Sequence, residues 1–159
     1  ISVARTLNSA DPAMPDLALG DISARGGGQV SMHRSHQNGR DVDIVFFVTD
    51  PSGRPVQATD MVAFDGQGRS ASGKLRLDVP RTWKLVEAIL SNAHFGKDVV
   101  NLFISDPLRA LLLSHARKTG SSAAGRAARL MSQPGASPHS NHFHLRIGCS
   151  AEDRGKGCR

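Results

Sequence analysis

Residues 31–44 read SMHRSHQNGRDVDI, and the interpretation of this stretch decides the fold. It sets His33, His36, Asp41 and Asp43 around Gly39, directly ahead of the most apolar run of the chain. Glycine at that point permits a tight chain reversal, so an imidazole before the turn and a carboxylate at the start of a strand can converge. A second stretch, PHSNHFHLRI at residues 138–147, carries His139, His142 and His144 into another apolar segment. Five of the seven histidines lie in these two stretches, which reads as two halves of one metal site.

Outward from the first stretch, residues 43–50, DIVFFVTD, are β-branched and aromatic and are bounded by Gly39 and by Pro51-Ser52-Gly53. They predict a strand, expected to be central. Residues 62–77 are interrupted by Gly66, Gly68 and Gly73 and read as a loop or short hairpin. Asp78 is placed to cap a helix from about residue 80 to 92, with Trp83, Val86, Ile89 and Leu90 on one face and Gly96 beyond its end. A short buried strand follows over residues 99–105. Asp106 as cap and Pro107 in the first turn then open a second helix with Leu108, Leu111 and Leu112 as its apolar stripe, closed by Lys118 and Gly120. The Ala- and Arg-rich residues 121–131 predict a third helix, stopped by Pro134-Gly135. Residues 142–147 read as a returning strand in which His142 and His144 alternate with Phe143 and Leu145, so both imidazoles face one side.

Residues 1–20 contain Pro12 and Pro15 and predict an irregular lead-in, and the RGGG run at residues 25–28 fits a flexible turn or the rim of a cleft. No internal repeat is visible. The pattern predicts one α+β domain over residues 1–159, with a small antiparallel sheet carrying the metal site, about three helices and long loops.

The chain's 159 residues suffice to bury a core, and 39% hydrophobic against 21% charged residues is a globular balance. No apolar run reaches the roughly 18 residues a membrane span needs. The formal charge of +6 favours polyanionic partners such as cell-wall polymers or outer-leaflet lipids, or is simply a solvated basic surface. Nucleic acid is not expected, because aromatics make up only 4% and most phenylalanines fall in core-like runs. Cys149 and Cys158 have eight residues between them, in a Gly-rich tail that bends easily. A disulfide there would remove roughly 2–3 kcal/mol of unfolded-chain entropy and implies an oxidising compartment; two unrelated thiols are the alternative. The chain opens on Ile1 and carries no signal-peptide pattern, as a mature exported protein or a trimmed piece would.

Catalytic zinc takes three protein ligands of His, Asp or Glu type and leaves one position open. His36 and Asp43, seven residues apart across Gly39, can supply two, and His144 from a neighbouring strand completes a His, Asp, His set suited to zinc. His142 shares the face of His144 about 7 Å along the strand, within reach of a bound water or substrate rather than of the metal. Asp41 either orients His36 or His33 through a ring N–H or serves as a turn aspartate bonded to its own backbone. Gln37 and Asn38 read as donors to substrate or turn. His94 and His115 lie in helical contexts and read as ordinary histidines.

Taken together, SHQNGRDVDI, PHSNHFHLRI and the cysteine-ended tail CSAEDRGKGC resemble the penicillin-insensitive murein endopeptidases, part of the wider group of zinc peptidases that includes lysostaphin, D-Ala-D-Ala dipeptidases and hedgehog domains. That resemblance implies His36, Asp43 and His144 as zinc ligands, His142 as the histidine preceding the last ligand, and His139 and His33 as further histidines of the cleft, with His33 also within reach of the metal. It implies cleavage of the D-alanyl–meso-diaminopimelate bridge of peptidoglycan in the periplasm or outside the cell. No Glu, the usual base of zinc peptidases, lies near either motif, so His139 or His142 is expected to take the proton from the attacking water. A D,D-carboxypeptidase, another cross-link specificity, or a non-catalytic cell-wall or polyanion-binding module with structural zinc are the competing expectations. Oligomeric state is not legible.

Overall fold

The structure is a computed structural model and describes residues 2–23, 28, 36, 37, 39–135 and 137–155. In chain order the elements are α1 (Ser2–Ala10), β1 (Leu19–Ile22), β2 (Asp41–Val45), β3 (Val48–Thr49), β4 (Pro55–Val56), β5 (Arg76–Leu77), α2 (Val79–Leu90), β6 (Val99–Phe103), α3 (Asp106–Lys118), α4 (Ala124–Leu130), β7 (Met131–Ser132), β8 (His142–Ile147) and the short α5 (Ala151–Gly155). The expected α+β class holds. The principal sheet is larger than expected and mixed: its order is β1-β2-β8-β6-β7, with β6 and β7 parallel and the other pairs antiparallel.

The apolar run at residues 43–50 is two strands rather than one. Phe46 and Phe47 interrupt it, and the chain leaves the principal sheet through β2 and enters a second, three-stranded antiparallel sheet, β4-β3-β5, through β3. Both phenylalanines are buried, so the hydrophobic pattern runs on unbroken through the change of sheet.

Period-two alternation gives β2 and β8 two unlike faces. Their register sets Asp43 opposite His144, Val45 opposite His142 and Asp41 opposite Arg146, while Ile44 meets Phe143 and Val42 meets Leu145 on the reverse face. On that reverse face Ile44, Phe143, Leu145 and Leu102 of β6 are buried and join Trp83, Val86 and Ile89 of α2 and Leu108 and Leu112 of α3 in one core. The helices form where local signals place them. Asp78 accepts the backbone N–H of Arg81 at 3.1 Å and caps α2. For α3 the cap position is Ser105, and Asp106 is the first helical residue, where its charge favours the helix N-terminus.

The expected irregular lead-in at residues 1–20 is corrected by α1 and β1. Val3 and Leu7, four apart on α1, are both buried in the core, and α1 ends before Pro12, as an intolerant proline requires. Of the RGGG run only Gly28 is described, with φ +97°.

Phe143, fully buried and centred between the two strand histidines, is a direct test of this layering. Phe143→Ala is expected to lower unfolding free energy by about 3–5 kcal/mol in chemical denaturation, with little change for an exposed control such as Leu19→Ala.

Candidate metal centre

The two halves of the site meet because β2 and β8 are neighbours. Asp43 lies within β2 and His144 directly across from it. His36 arrives from the segment before β2, after which Gly39 takes the positive φ of +77° that the chain reversal needs. Arg40 secures the start of β2 by donating from Nη1 to the Gly148 carbonyl at 2.8 Å, while its own carbonyl accepts the Ile147 N–H. His36, Asp43 and His144 are all buried and bring one ligand atom each to within 4.8 Å of one another.

The separations among those atoms are the decisive feature. Asp43 Oδ1 lies 3.0 Å from His144 Nδ1, 3.3 Å from His36 Nε2 and 3.4 Å from His142 Nε2, and the two ligand-set imidazole nitrogens are 3.3 Å apart. In spite of this crowding Asp43 Oδ1 is buried and accepts no hydrogen bond of proper geometry among the described residues. Three such atoms gathered in one buried space, the carboxylate oxygen among them lacking a well-aligned donor, are a place that a shared cation would fit. Two imidazole nitrogens and a carboxylate oxygen form a donor set that fits zinc.

The supporting contacts fix the candidate ligands. His144 Nε2 donates to Asp41 Oδ1 at 2.9 Å, which leaves Nδ1 to face the centre, and the same Asp41 oxygen accepts from Arg146 Nε at 2.7 Å. Asp41 therefore holds His144, a partner different from the His36 or His33 expected, and it is a strand residue rather than a turn residue. Burial by itself would raise the pKa of both aspartates. The bonds from His144 and Arg146 to Asp41, and the imidazoles of His142 and His144 beside Asp43, more than offset it and hold both below the usual carboxylate range. His144 is affected in the opposite sense: burial lowers its pKa, but Asp41 and Asp43 outweigh burial and push it up to about 9 in the metal-free chain.

His139 and His142 come to the same place. The rings of His139 and His142 are 5.1 Å apart, and His139 is 5.6 Å from His144. His139 has φ +45°, a left-handed conformation uncommon outside glycine. Two backbone bonds grip this loop from either side: Ser105 N–H to the His139 carbonyl and Phe64 N–H to the Ser140 carbonyl. Strain of this kind survives only where the surroundings impose it. Phe103 of β6, opposite His144 in register, packs its ring 5.5 Å from His144 and 5.8 Å from His139. Glu87 is engaged elsewhere, accepting from Trp83 Nε1 and Ser121 Oγ.

A family model described as penicillin-insensitive murein endopeptidase matches residues 2–159, essentially the whole chain. The chain belongs to that family. No curated protein matches it. Membership in the murein endopeptidase family makes it a peptidase with peptidoglycan as the implied substrate, and the buried His36, Asp43 and His144 group supplies a place where such a peptidase could hold a metal. No helix among the described residues is long and apolar enough to cross a membrane.

Some of the expected site lies outside the described residues: His33, Asn38 and, at the end of the tail, Cys158. Gln37 is described and exposed, and its carbonyl accepts the Gly28 N–H at 2.9 Å. His94 and His115 fall outside the cluster, on the turn after α2 and on α3. Arg146 and Phe103 were missed by sequence reasoning. Arg146 carries a recoverable signal, being two residues beyond His144 on the same strand face, whereas Phe103 depends on a strand pairing that no local pattern announces.

The raised pKa of His144 has a definite sign. Stabilisation from its protonated form is complete below the ordinary value of 6.5 and is lost as pH rises through about 9. A metal ion held by His144 would compete with that proton, so its affinity would rise as pH rises towards about 9. Added zinc is therefore expected to raise the melting temperature more at about pH 8.5 than at about pH 6.5, as read by scanning calorimetry, and equal shifts would contradict the assignment. Asp41→Asn is expected to weaken zinc binding by about 10–100-fold in titration calorimetry.

Proposed function

We propose that the chain is a zinc-dependent endopeptidase that hydrolyses D-alanyl–meso-diaminopimelate cross-links of bacterial peptidoglycan, in the periplasm or outside the cell. The reading is carried by one observation: the buried Asp43 Oδ1, ringed at 3.0–3.4 Å by nitrogens of three histidines and, among the described residues, without a well-aligned hydrogen bond. His36, Asp43 and His144 are the proposed zinc ligands. A zinc ion held there supplies Lewis-acid polarisation of a carbonyl and acidifies a water towards neutrality.

The chain's own residues supply the proton traffic. His139 Nδ1 lies 2.9 Å from the Ser137 carbonyl, which can only accept, so the hydrogen sits on Nδ1 and Nε2 keeps a lone pair. Burial lowers the His139 pKa, with the neighbouring His142 and His144 acting in the same direction, so the imidazole is neutral at neutral pH and ready to accept a proton. His142, on the face of His144 and 13% exposed, is open enough to meet substrate. These two histidines take the proton from the attacking water and return it to the leaving amine. The Cys149–Cys158 disulfide belongs to this proposal as a clamp on the tail suited to an oxidising compartment.

The identifying experiment is mass spectrometry of fragments released from defined muropeptide dimers, with and without chelator. Cleavage between D-alanine and diaminopimelate that stops on chelation is the expected result; release of a terminal D-alanine alone would identify a carboxypeptidase. His139→Ala and His142→Ala are each expected to lower kcat by roughly 10²–10⁴-fold while leaving zinc content intact, whereas His36→Ala is expected to lose the metal, as read by elemental analysis. With His139 as base, the acid limb of the kcat profile should fall below pH 6.5.

A further inference from the structure

We propose that Asn141 is a positioning residue that fixes which ring nitrogen of His142 faces the metal centre, and that the backbone of Met61 sets Asn141 in turn. The proposal rests on the reading of His142 as a working group of the site and extends it to Asn141, a residue of the PHSNHFHLRI stretch that is neither histidine nor aspartate.

The assignment follows from which atoms can donate. Asn141 Nδ2 lies 3.3 Å from the Met61 carbonyl, and a carbonyl only accepts, so the amide nitrogen must point to Met61. The amide oxygen is thereby turned to His142, where it lies 2.7 Å from Nδ1. An amide oxygen also only accepts, so the hydrogen of a neutral His142 ring is on Nδ1. Nε2 faces Asp43 Oδ1, also an acceptor, but at 3.4 Å and without a well-aligned hydrogen bond, against 2.7 Å at Nδ1, so the shorter contact claims the hydrogen and Nε2 keeps its lone pair towards the centre. A free neutral imidazole favours the other tautomer, with hydrogen on Nε2, so a specific acceptor at Nδ1 is required to reverse the preference.

The Met61 end is built to hold. Phe64 N–H binds the Ser140 carbonyl at 2.9 Å beside the Asn141 contact, so residues 61–64 and 140–141 are joined twice. The Met61 contact is to its backbone, while its side chain packs against Gly20 of β1. Asn141 also forms part of the wall of a cavity with Val45, Val56, Val62 and Phe64, which puts it between the metal centre and the second sheet. Displacement of the segment carrying Met61 would free the amide to rotate and release the His142 ring.

The test uses the full-length zinc-loaded chain with 15N-labelled histidine, and compares wild type, Asn141→Asp and Asn141→Leu. Long-range 1H–15N spectra read the His142 tautomer where the ring is neutral, and kcat and KM are measured on a soluble cross-linked muropeptide. Wild type should show hydrogen on Nδ1. Asn141→Asp keeps an oxygen towards Nδ1 and should retain that tautomer, but it loses the donor to the Met61 carbonyl, so its kcat should fall between wild type and Asn141→Leu. Asn141→Leu should move the ring towards the Nε2–H form and lower kcat by about 10–100-fold with KM and zinc content unchanged. The proposal is overturned by a wild-type tautomer in Asn141→Leu, or by equal loss of kcat in Asn141→Asp. If the tautomers respond as described but no variant, wild type included, cleaves the cross-link, the positioning role stands and the endopeptidase reading fails.

Discussion

The pairing of β2 with β8 in a single register is the constraint on which everything else in the molecule depends. Asp43 opposite His144 puts a carboxylate oxygen and an imidazole nitrogen 3.0 Å apart with both side chains buried. A slip of β2 by one residue against β8 would turn Asp41 and Asp43 into the core and Val42 and Ile44 out to the site face. The hydrophobic core and the candidate metal centre are thus two faces of one strand pair, and the burial that fixes the first also fixes the geometry of the second. Burying several titratable groups together is costly, and here the cost is met by mutual contacts: Asp41 is bonded by both His144 and Arg146, and Asp43 is ringed by imidazoles.

From that pair the remaining contacts serve orientation. Arg146 neutralises Asp41, Asp41 fixes the ring of His144, and Phe103 closes the side of the ring from β6. The loop ahead of β8 is gripped by Ser105 and Phe64, which holds His139 in its left-handed conformation beside the centre. Histidines rather than a glutamate surround the ligand set. Burial lowers the pKa of His139 and keeps it neutral, while the two aspartates drive His144 the other way in the absence of metal.

Much of this was legible in the sequence because it is encoded by short periods. The alternation HFHLRI gave β8 with its bounds and its two faces, and the helix caps and stripes gave α2, α3 and α4 to within a few residues. What was not legible lies where local pattern carries no long-range information. The run DIVFFVTD looks like one strand because Phe46 and Phe47 are buried in the passage between two sheets. The lead-in was misread on its two prolines, although Val3 and Leu7 already carried the helical spacing of α1. The partner of Asp41 could not be chosen without the register, since only strand pairing decides that His144 and Arg146, and not a nearby histidine, stand opposite.

The most direct test of the shared metal centre is X-ray absorption at the zinc edge of the purified, zinc-loaded chain. One ion per chain is expected, bound by two imidazole nitrogens at about 2.0–2.1 Å with oxygen completing the shell, and His36→Ala should abolish the site. A sulfur neighbour at about 2.3 Å, a shell without imidazole, or full occupancy in His36→Ala would contradict the convergence of His36, Asp43 and His144 on one ion.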